Sequence, residues 1–429
     1  MTIKHLRSKL LWLTAGLPMM AAAQTLTLDA CQQQAADHYP LTRRYGLIAR
    51  TTAVALADIG TAWLPQVNAY AQATVQDKVV ELPDALTATM RQGGLTMEGL
   101  NRGQYKVGVD VSQTLYDGGS IARSREIARR QGDVATAQNE VSLYAVRKRV
   151  NELYFGVLLT DELLRLNTDR CELLRANERQ VESMLKGGVA MECDYHALKA
   201  ERLTAEQAAT ELKSQRQQLL RQLAILTGTA VEAVVRPPMI EPETTGCNRP
   251  ELRLADARLL LTDAEEKALQ SGLLPRVNIF ASGYYGYPGY NMYGDMLRHR
   301  PSLNGMVGIR ISWNISGLYT RKTDKARLQL QRASAENERE TFLLNNRIEQ
   351  LAEEEETARY RQLLDADDAI IELRGKVRRS YESKLRHGII ETTSLLQEIN
   401  KENGARTARS THEVQLLKSL YDRKYTMGQ

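Results

Sequence analysis

The residues that most often carry chemistry are scattered along this chain without a recognisable pattern. No two histidines after residue 23 have the spacing of metal ligands, and these are His38, His196, His299, His387 and His412. The cysteines form no C-x-x-C pair, so we expect buried free thiols, with a Cys31–Cys247 disulfide as the alternative. There is no G-x-S-x-G motif and no phosphate-binding loop. The sequence therefore predicts a protein that is not an enzyme and uses no metal or cofactor.

The first 23 residues have the pattern of a secretory signal peptide. Lys4, Arg7 and Lys9 precede an apolar stretch, and Ala21 to Ala23 offer a cleavage site. Removing these three cations lowers the formal charge from +5 to +2, so the charge gives no argument for nucleic-acid binding. No later apolar run reaches about 18 residues, the length of a membrane helix. We expect an exported protein that is periplasmic, secreted or in an outer membrane.

Two later segments, 104–117 and 305–316, alternate apolar and polar residues with a period of two, which predicts β-strands. A strand of about 9–11 residues with one apolar and one polar face is the unit of a transmembrane β-barrel. An ordinary antiparallel sheet with one wet face has the same pattern, and the strands alone leave both readings open. The residues expected to face lipid are Val107, Val109, Val111, Leu115, Val307, Ile309, Ile311, Trp313 and Ile315.

Each of these strands has an alternating partner upstream. The partners are residues 66–82 and 276–290, and the turns at Pro65 and Pro275 precede them. Long segments with helical periodicity follow each strand pair and make the chain mainly α with a small β part. Their predicted bounds are 119–186, 191–226, 318–386 and 392–424. A helix of about 67 residues would be about 100 Å long and must pack along others.

The order helix–strand–strand–helix–helix occurs twice. Residues 181–198 align without gaps on residues 381–398, and the pairs Glu182/Glu382 and Gly188/Gly388 are identical. The sequence predicts a first repeat at 24–228, an irregular connector (equatorial region) at 229–250 and a second repeat at 251–429. Four strands per chain cannot close a barrel, and open sheet edges are unstable in lipid. Three chains would supply a shared twelve-stranded barrel.

In this order and spacing the motifs resemble those of the TolC-type outer-membrane efflux proteins. The matching stretches are 26–30 (LTLDA), the two Leu-Pro turns, 109–119 (VDVSQTLYDGG), 188–194 (GVAMECD) and 388–394 (GIIETTS). The resemblance implies a homotrimer with a β-barrel in the outer membrane of a Gram-negative bacterium and an α-helical barrel in the periplasm. It also implies a passive conduit for tripartite efflux or type I secretion. The implied partners are a periplasmic adaptor (membrane fusion) protein and an inner-membrane pump of RND, ABC or MFS type.

The resemblance also implies roles for the two predicted hairpin turns. Gly188, Val189, Gly388 and Ile389 would form the tip that docks on the adaptor. Asp194 would help to close the aperture, although a helix-capping carboxylate is an equal alternative. Well-known members place acidic residues soon after the second glycine, where this chain has Ser394 and Gln397, with Glu391 the nearest carboxylate. The sequence therefore gives no basis for expecting cation selectivity at the tip.

A soluble periplasmic coiled-coil protein with a structural or adaptor role is the alternative function. The two apolar strand faces distinguish the hypotheses, because a soluble rod has no reason to carry them. The sequence does not indicate the exported substrate.

Overall fold

A computed structural model describes residues 24–97, 99–242 and 246–429. The predicted signal peptide, residues 1–23, lies outside these residues. The chain divides into two compact units. The helical unit comprises the described residues up to Thr42 together with Ser142–Asn248 and Asn346–Gln429, and the sheet unit comprises Arg43–Val141 and Arg249–Asn345.

The elements follow one another in an order that repeats. The helices are α1 (Leu28–His38), α2 (Leu41–Thr61), α3 (Asp84–Gln92), α4 (Ser120–Lys186), α5 (Glu192–Thr227), α6 (Pro250–Ser271), α7 (Met292–Arg298), α8 (Gly317–Arg386) and α9 (Thr392–Met427). The strands are β1 (Gln24–Leu26), β2 (Gln66–Val75), β3 (Gly103–Tyr116), β4 (Val231–Val234), β5 (Arg276–Tyr287) and β6 (Ser302–Ser312).

The predicted fold class, mainly α with a small duplicated β part, is confirmed. The series α2–β2–β3–α4–α5 recurs as α6–β5–β6–α8–α9. Four elements were not expected from the sequence. Short helices α3 and α7 occupy the connections between paired strands, and β1 pairs in parallel with β4 inside the region taken as an irregular connector.

The helical unit is built on apolar side chains that recur along α4. Val150 and Val157 are fully buried, and they pack with Leu223 of α5 and Leu417 of α9. The Tyr154 hydroxyl lies 3.0 Å from the carbonyl oxygen of Leu26 and also contacts that of Val235. Burial raises the pKa of this phenol. Tyr154 thus ties α4 to the chain segments around the β1–β4 pair.

The sheet unit contains one antiparallel four-stranded sheet in the order β2–β3–β5–β6. Three predicted strand ends are wrong. β5 ends at Tyr287 rather than residue 290, because Pro288 follows and has no N–H for a ladder hydrogen bond. β2 ends at Val75 rather than residue 82, because Val79 and Leu82 instead pack against the loop core of Met97, Leu100, Tyr287 and Met296. β6 ends at Ser312 rather than residue 316, because its partner strand begins at Arg276, directly after Pro275.

A buried carboxylate lies between α8 and α9 in the helical unit. The Thr426 hydroxyl donates to Glu353 Oε1 at 2.7 Å, while Glu353 Oε2 is buried without a hydrogen-bond partner among the described residues. Burial raises the pKa of Glu353 to about 7, and the nearby carboxylates of Glu349 and Asp422 contribute in the same direction. The native protein therefore holds a proton at a pH where an unfolded glutamate has released it.

The linkage predicts that Glu353 costs stability as the pH rises from about 5 through 7. We expect Glu353→Gln to stabilise the protein at pH 8 by about 1 kcal/mol in unfolding free energy, and so to raise the thermal unfolding temperature. At pH 5 we expect little change in that temperature. Thermal unfolding of the detergent-extracted protein measures this. The exposed Glu355→Gln on the same helix is the control, and an equal gain from Glu353→Gln at both pH values would contradict the assignment.

Candidate membrane-facing sheet and hairpin turns

The four-stranded sheet has one face that is apolar across all its strands. Val111 of β3 lies opposite Val67 of β2 on one side and opposite Ala281 of β5 on the other, and Ala281 lies opposite Val307 of β6. Neighbouring rows are similar, since Val109 is flanked by Ala69 and Gly283. Val307 is 73% exposed and Ile309 is 66% exposed. A contiguous exposed apolar surface of this kind marks contact with a membrane or a partner.

The predicted lipid-facing residues fall into two groups. Six of them share the apolar face: Val107, Val109, Val111, Val307, Ile309 and Ile311. The other three do not have the predicted positions in the sheet. Leu115 lies at a register shift that sets Tyr116 opposite Val277, and Trp313 and Ile315 follow the end of β6. The Trp313 indole donates to the carbonyl oxygen of Leu273 at 2.9 Å, which anchors the chain where β6 ends.

The opposite face is polar and carries every charged side chain of the four strands. These residues are Lys106, Asp110, Arg276 and Arg310. Asp110 accepts a hydrogen bond from the Ser282 hydroxyl at 2.5 Å. The separation of charge from hydrocarbon across one sheet is the pattern of a barrel strand with one wet side and one lipid side.

Glycines on the polar face make room for aromatic rings. A Cβ added to Gly108 would lie 2.7 Å from Tyr284 Cβ, and one added to Gly308 would lie 2.9 Å from the Phe280 ring. Glycine is therefore needed at both positions, because a larger residue would approach these atoms too closely. The rings in turn lie close to the cations, because Lys106 Nζ is 6.0 Å from the Tyr284 centroid and Arg310 Cζ is 4.7 Å from that of Phe280.

The same turn leads from helix to strand in both repeats. The Leu64 amide donates to the Thr61 carbonyl at 2.9 Å before Pro65, and the Leu274 amide donates to the Ser271 carbonyl at 3.2 Å before Pro275. Each proline stands one residue before a strand, where its missing N–H removes no ladder hydrogen bond. Pro65 and Pro275 thus mark equivalent helix-to-strand turns.

The two helical hairpins reverse through identical hydrogen bonds. In the first, the Gly188 amide donates to Leu185 at 3.0 Å and the Val189 amide donates to Met184 at 2.9 Å. The second turn repeats both bonds, with Gly388 donating to Leu385 at 2.9 Å and Ile389 donating to Lys384 at 3.0 Å. This is the Schellman motif, and it needs a left-handed residue at the glycine. Gly188 has φ +73° and Gly388 has φ +69°.

The side chains after these glycines point away from the hairpin core. Val189 is 67% exposed and Ile389 is 69% exposed. A buried cluster holds the two hairpins together near both turns, so the exposed residues lie at the same end of the helical unit. The cluster includes Val181, Leu198, Leu385, Leu395 and Ile399. The turns therefore present a small apolar surface on a packed support.

The two carboxylates expected at the aperture sit at the start of the return helices. Asp194 is half-buried, and its Oδ2 accepts the Met191 amide at 3.2 Å, which caps α5. This contact is the helix-capping role, which the sequence offered as the alternative to a role at the aperture. Glu391 is exposed before α9, and its Oε2 accepts a hydrogen bond from the Thr393 hydroxyl at 3.3 Å.

One residue that joins the hairpins was not identified from the sequence. Arg170 of α4 donates to Asn400 of α9 at 2.7 Å and also pairs with Glu201 of α5. The helical periodicity and length of this segment predict that α4 packs on another helix but do not identify that helix. The acceptors of this guanidinium lie on two other helices, so they are identified only by the packing of both hairpins.

Comparison with known proteins gives the same family as the motifs. The sequence profile of the family described as "Outer membrane efflux protein" matches residues 49–229. The resemblance to the outer membrane efflux proteins is confirmed. The matched residues include β2, β3, the first hairpin turn and the whole of α4 and α5. No curated protein has a significantly similar sequence.

Solved structures of a membrane protein and of outer membrane channels share the fold. A membrane protein from Pseudomonas aeruginosa is 17% identical, with a TM-score of 0.66 over 94% of this chain and 93% of that one. The CmeC outer membrane channel of Campylobacter jejuni is 13% identical, with a TM-score of 0.66 over 94% and 85% of the two chains. The MtrE outer membrane channel of Neisseria gonorrhoeae is 16% identical, with a TM-score of 0.65 over 94% and 88%.

The described residues contain no group of three or more histidine, cysteine or acidic side chains that could hold a metal ion. Within the same residues no helix has an apolar stretch long enough to cross a bilayer.

The turn geometry predicts that alanine is costly at the two left-handed glycines. No atom lies within 4 Å of a Cβ added at Gly188 or Gly388, so the cost is conformational, about 1–2 kcal/mol at each site. We expect Gly188→Ala with Gly388→Ala to lower the thermal unfolding temperature. Gly187→Ala is the matched control, because a Cβ there makes only ordinary contacts at 3.5 Å. Equal behaviour of the double variant and the control would argue against the assigned motif.

The two faces of β6 predict opposite tolerance to the same substitution. Ile309→Lys places a charge on the apolar face, at a cost of about 2–4 kcal/mol if that face meets the middle of a bilayer. Met306→Lys places the same charge on the polar face, in the row that contains Asp110. We expect only the first variant to reduce the amount of protein in the outer-membrane fraction. Similar losses in both would show that the faces are wrongly assigned.

Proposed function

We propose that the protein is an outer-membrane efflux channel that works as a passive trimeric conduit. The observation that carries the proposal is the sheet whose apolar face is exposed while all its charges lie on the other face. The match of residues 49–229 to a family described as outer membrane efflux protein supports the direction of transport. The protein then contributes a path rather than a reaction.

The edges of the sheet support a barrel that is shared between chains. β2 and β6 each have one neighbour in the sheet, so each leaves one row of backbone groups to pair elsewhere. In hydrocarbon these groups have no water to bond, and pairing β6 of one copy with β2 of the next satisfies them. Three copies then give twelve strands, within the range of bacterial barrels. The apolar face meets lipid and the polar face lines the lumen.

The hairpin turns are proposed to dock on a periplasmic adaptor, which links the channel to an inner-membrane pump. Val189 and Ile389 supply exposed apolar side chains, and the glycines before them keep the turn narrow. Asp194 and Glu391 lie beside these turns, and we propose that they face the aperture in the trimer. The capping bond of Asp194 fixes its carboxylate in place without removing its charge.

The proposed division of the chain follows the duplication. The repeats are 24–228 and 251–429, with 229–250 between them, and an N-terminal signal peptide directs export. A soluble periplasmic coiled-coil protein is not favoured, because it would leave the apolar face of the sheet in water. The proposed site is the outer membrane of a Gram-negative cell, with the helices in the periplasm.

The docking surface predicts a variant that assembles but does not transport. We expect the wild-type protein to be extracted from the outer membrane at about three times the monomer mass. In cells from which the gene for this protein has been deleted, the wild-type protein should restore efflux of a dye. Val189→Asp with Ile389→Asp should keep that mass and location but abolish efflux and crosslinking to the adaptor. Ile225→Asp is the matched control, since Ile225 is 75% exposed on α5 away from the turn.

Two results would count against the proposal. A wild-type protein that is soluble and monomeric would refute the shared barrel. Normal efflux and crosslinking by the double variant would refute the docking role of the turns but would not bear on the barrel.

A further inference from the structure

The polar face of the sheet carries an unequal number of cations and anions. Lys106, Arg276 and Arg310 are positive and Asp110 is the one negative residue, so the face of each chain has a net charge of +2. β2 contributes only uncharged residues. The excess belongs to the surface that would line the lumen of the proposed barrel.

Asp110 is placed too far along the strands to neutralise these cations. In the register, Lys106 lies in the row of Gly286, Asp110 in the row of Ser282, and Arg310 in the row of Asn278. Four residues separate each pair of rows, which is about 13 Å along the strands. This separation exceeds the Debye length of about 8 Å at physiological ionic strength, so exposed charges this far apart are largely screened from one another. Asp110 is also already hydrogen-bonded to Ser282.

The cations are held on this face by aromatic rings rather than by carboxylates. Lys106 Nζ lies 5.8 Å from the Tyr70 centroid and 6.0 Å from that of Tyr284, while Arg310 lies over Phe280. In the described part of the chain neither cation forms an ion pair. A ring contact orients a cation without cancelling its charge, so the positive potential stays available to a solute.

We propose that the barrel segment favours anionic solutes over cations, an inference that rests on the proposed barrel. In a symmetric trimer each residue becomes a ring of three, so Lys106, Arg310 and Arg276 form three positive rings against one negative ring at Asp110. Rings of lysine and arginine are the means by which pores select anions. The net charge of the lumen is then +6, or +2 from each of three chains. The solute class is small anions and organic molecules with a carboxylate, sulfonate or phosphate group.

The test is the reversal potential of the full-length protein in a planar bilayer under a gradient of KCl near 0.1 M. We expect a chloride-to-potassium permeability ratio above one. Lys106→Glu with Arg310→Glu changes the face from +2 to −2 and should take the ratio below one. Lys106→Gln with Arg310→Gln removes both cations without adding a negative charge, which changes the face from +2 to 0 and should move the ratio towards one. Asp110→Asn should move the ratio in the opposite direction, further above one.

The outcomes separate this inference from the proposed function. Because the charges of the hairpin turns are the same in every variant, a difference between variants reports the barrel alone. A conducting wild type with a ratio at or below one, or a ratio unchanged by the Gln and Glu variants, overturns the anion preference and leaves the channel in place. A wild type that forms no pore overturns the proposed function itself.

Discussion

The structure depends on one constraint, which is that backbone N–H and C=O groups in a sheet must be paired when the sheet leaves water. The four strands satisfy one another internally, but β2 and β6 each end the sheet with an unpaired edge. The apolar face beside these edges consists mainly of valine, isoleucine and alanine and is largely exposed. Such a sheet is unfavourable in water because of its face and in lipid because of its edges. Association of copies into a closed barrel removes both penalties together.

The duplication is preserved where local geometry needs it and is lost elsewhere. Both hairpins reverse through the same pair of backbone hydrogen bonds at a left-handed glycine. Both helix-to-strand turns contain the same leucine–proline pair. After the second strand of each pair the copies differ. Asp117 accepts the Gly119 amide at 2.9 Å in the first copy, whereas the second copy anchors its chain through Trp313 and Leu273. The strand-to-helix connection is therefore stabilised by different contacts in the two copies, whereas the hairpin turn is stabilised by the same contacts in both.

Polar contacts in the helical unit connect particular pairs of helices. Arg170 connects α4 with α9, and His412 of α9 contacts Asp367 of α8 at 2.7 Å. Buried polar and ionic contacts contribute little net stability, since desolvation offsets much of their attraction. Their value lies in register, because a helix displaced by one turn would leave a buried charge without a partner. The apolar residues that recur along α4, such as Val150 and Val157, do not by themselves distinguish one partner helix from another.

The sequence by itself determined the features that rest on short-range periodicity. Alternation predicted β3 and β6, the long apolar spacing predicted α4 and α8, and Gly188 and Gly388 predicted the reversals. Internal comparison of residues 181–198 with 381–398 also revealed the duplication without any knowledge of contacts. These features follow from residues that lie a few positions apart, where the backbone has few alternatives.

Only the tertiary structure decided which segments meet. The pairing of β3 with β5 joins residues more than 160 positions apart, and it sets Asp110 beside Ser282. The register shift at Leu115, the early end of β6 and the parallel β1–β4 pair depend on the partner strand. The early end of β2 depends on packing against a loop core that is distant in sequence. The same holds for the cations seated on aromatic rings, because Lys106 and Tyr284 become neighbours only in the sheet. Alternation gives the face of a residue, whereas its neighbour on that face is fixed by long-range register.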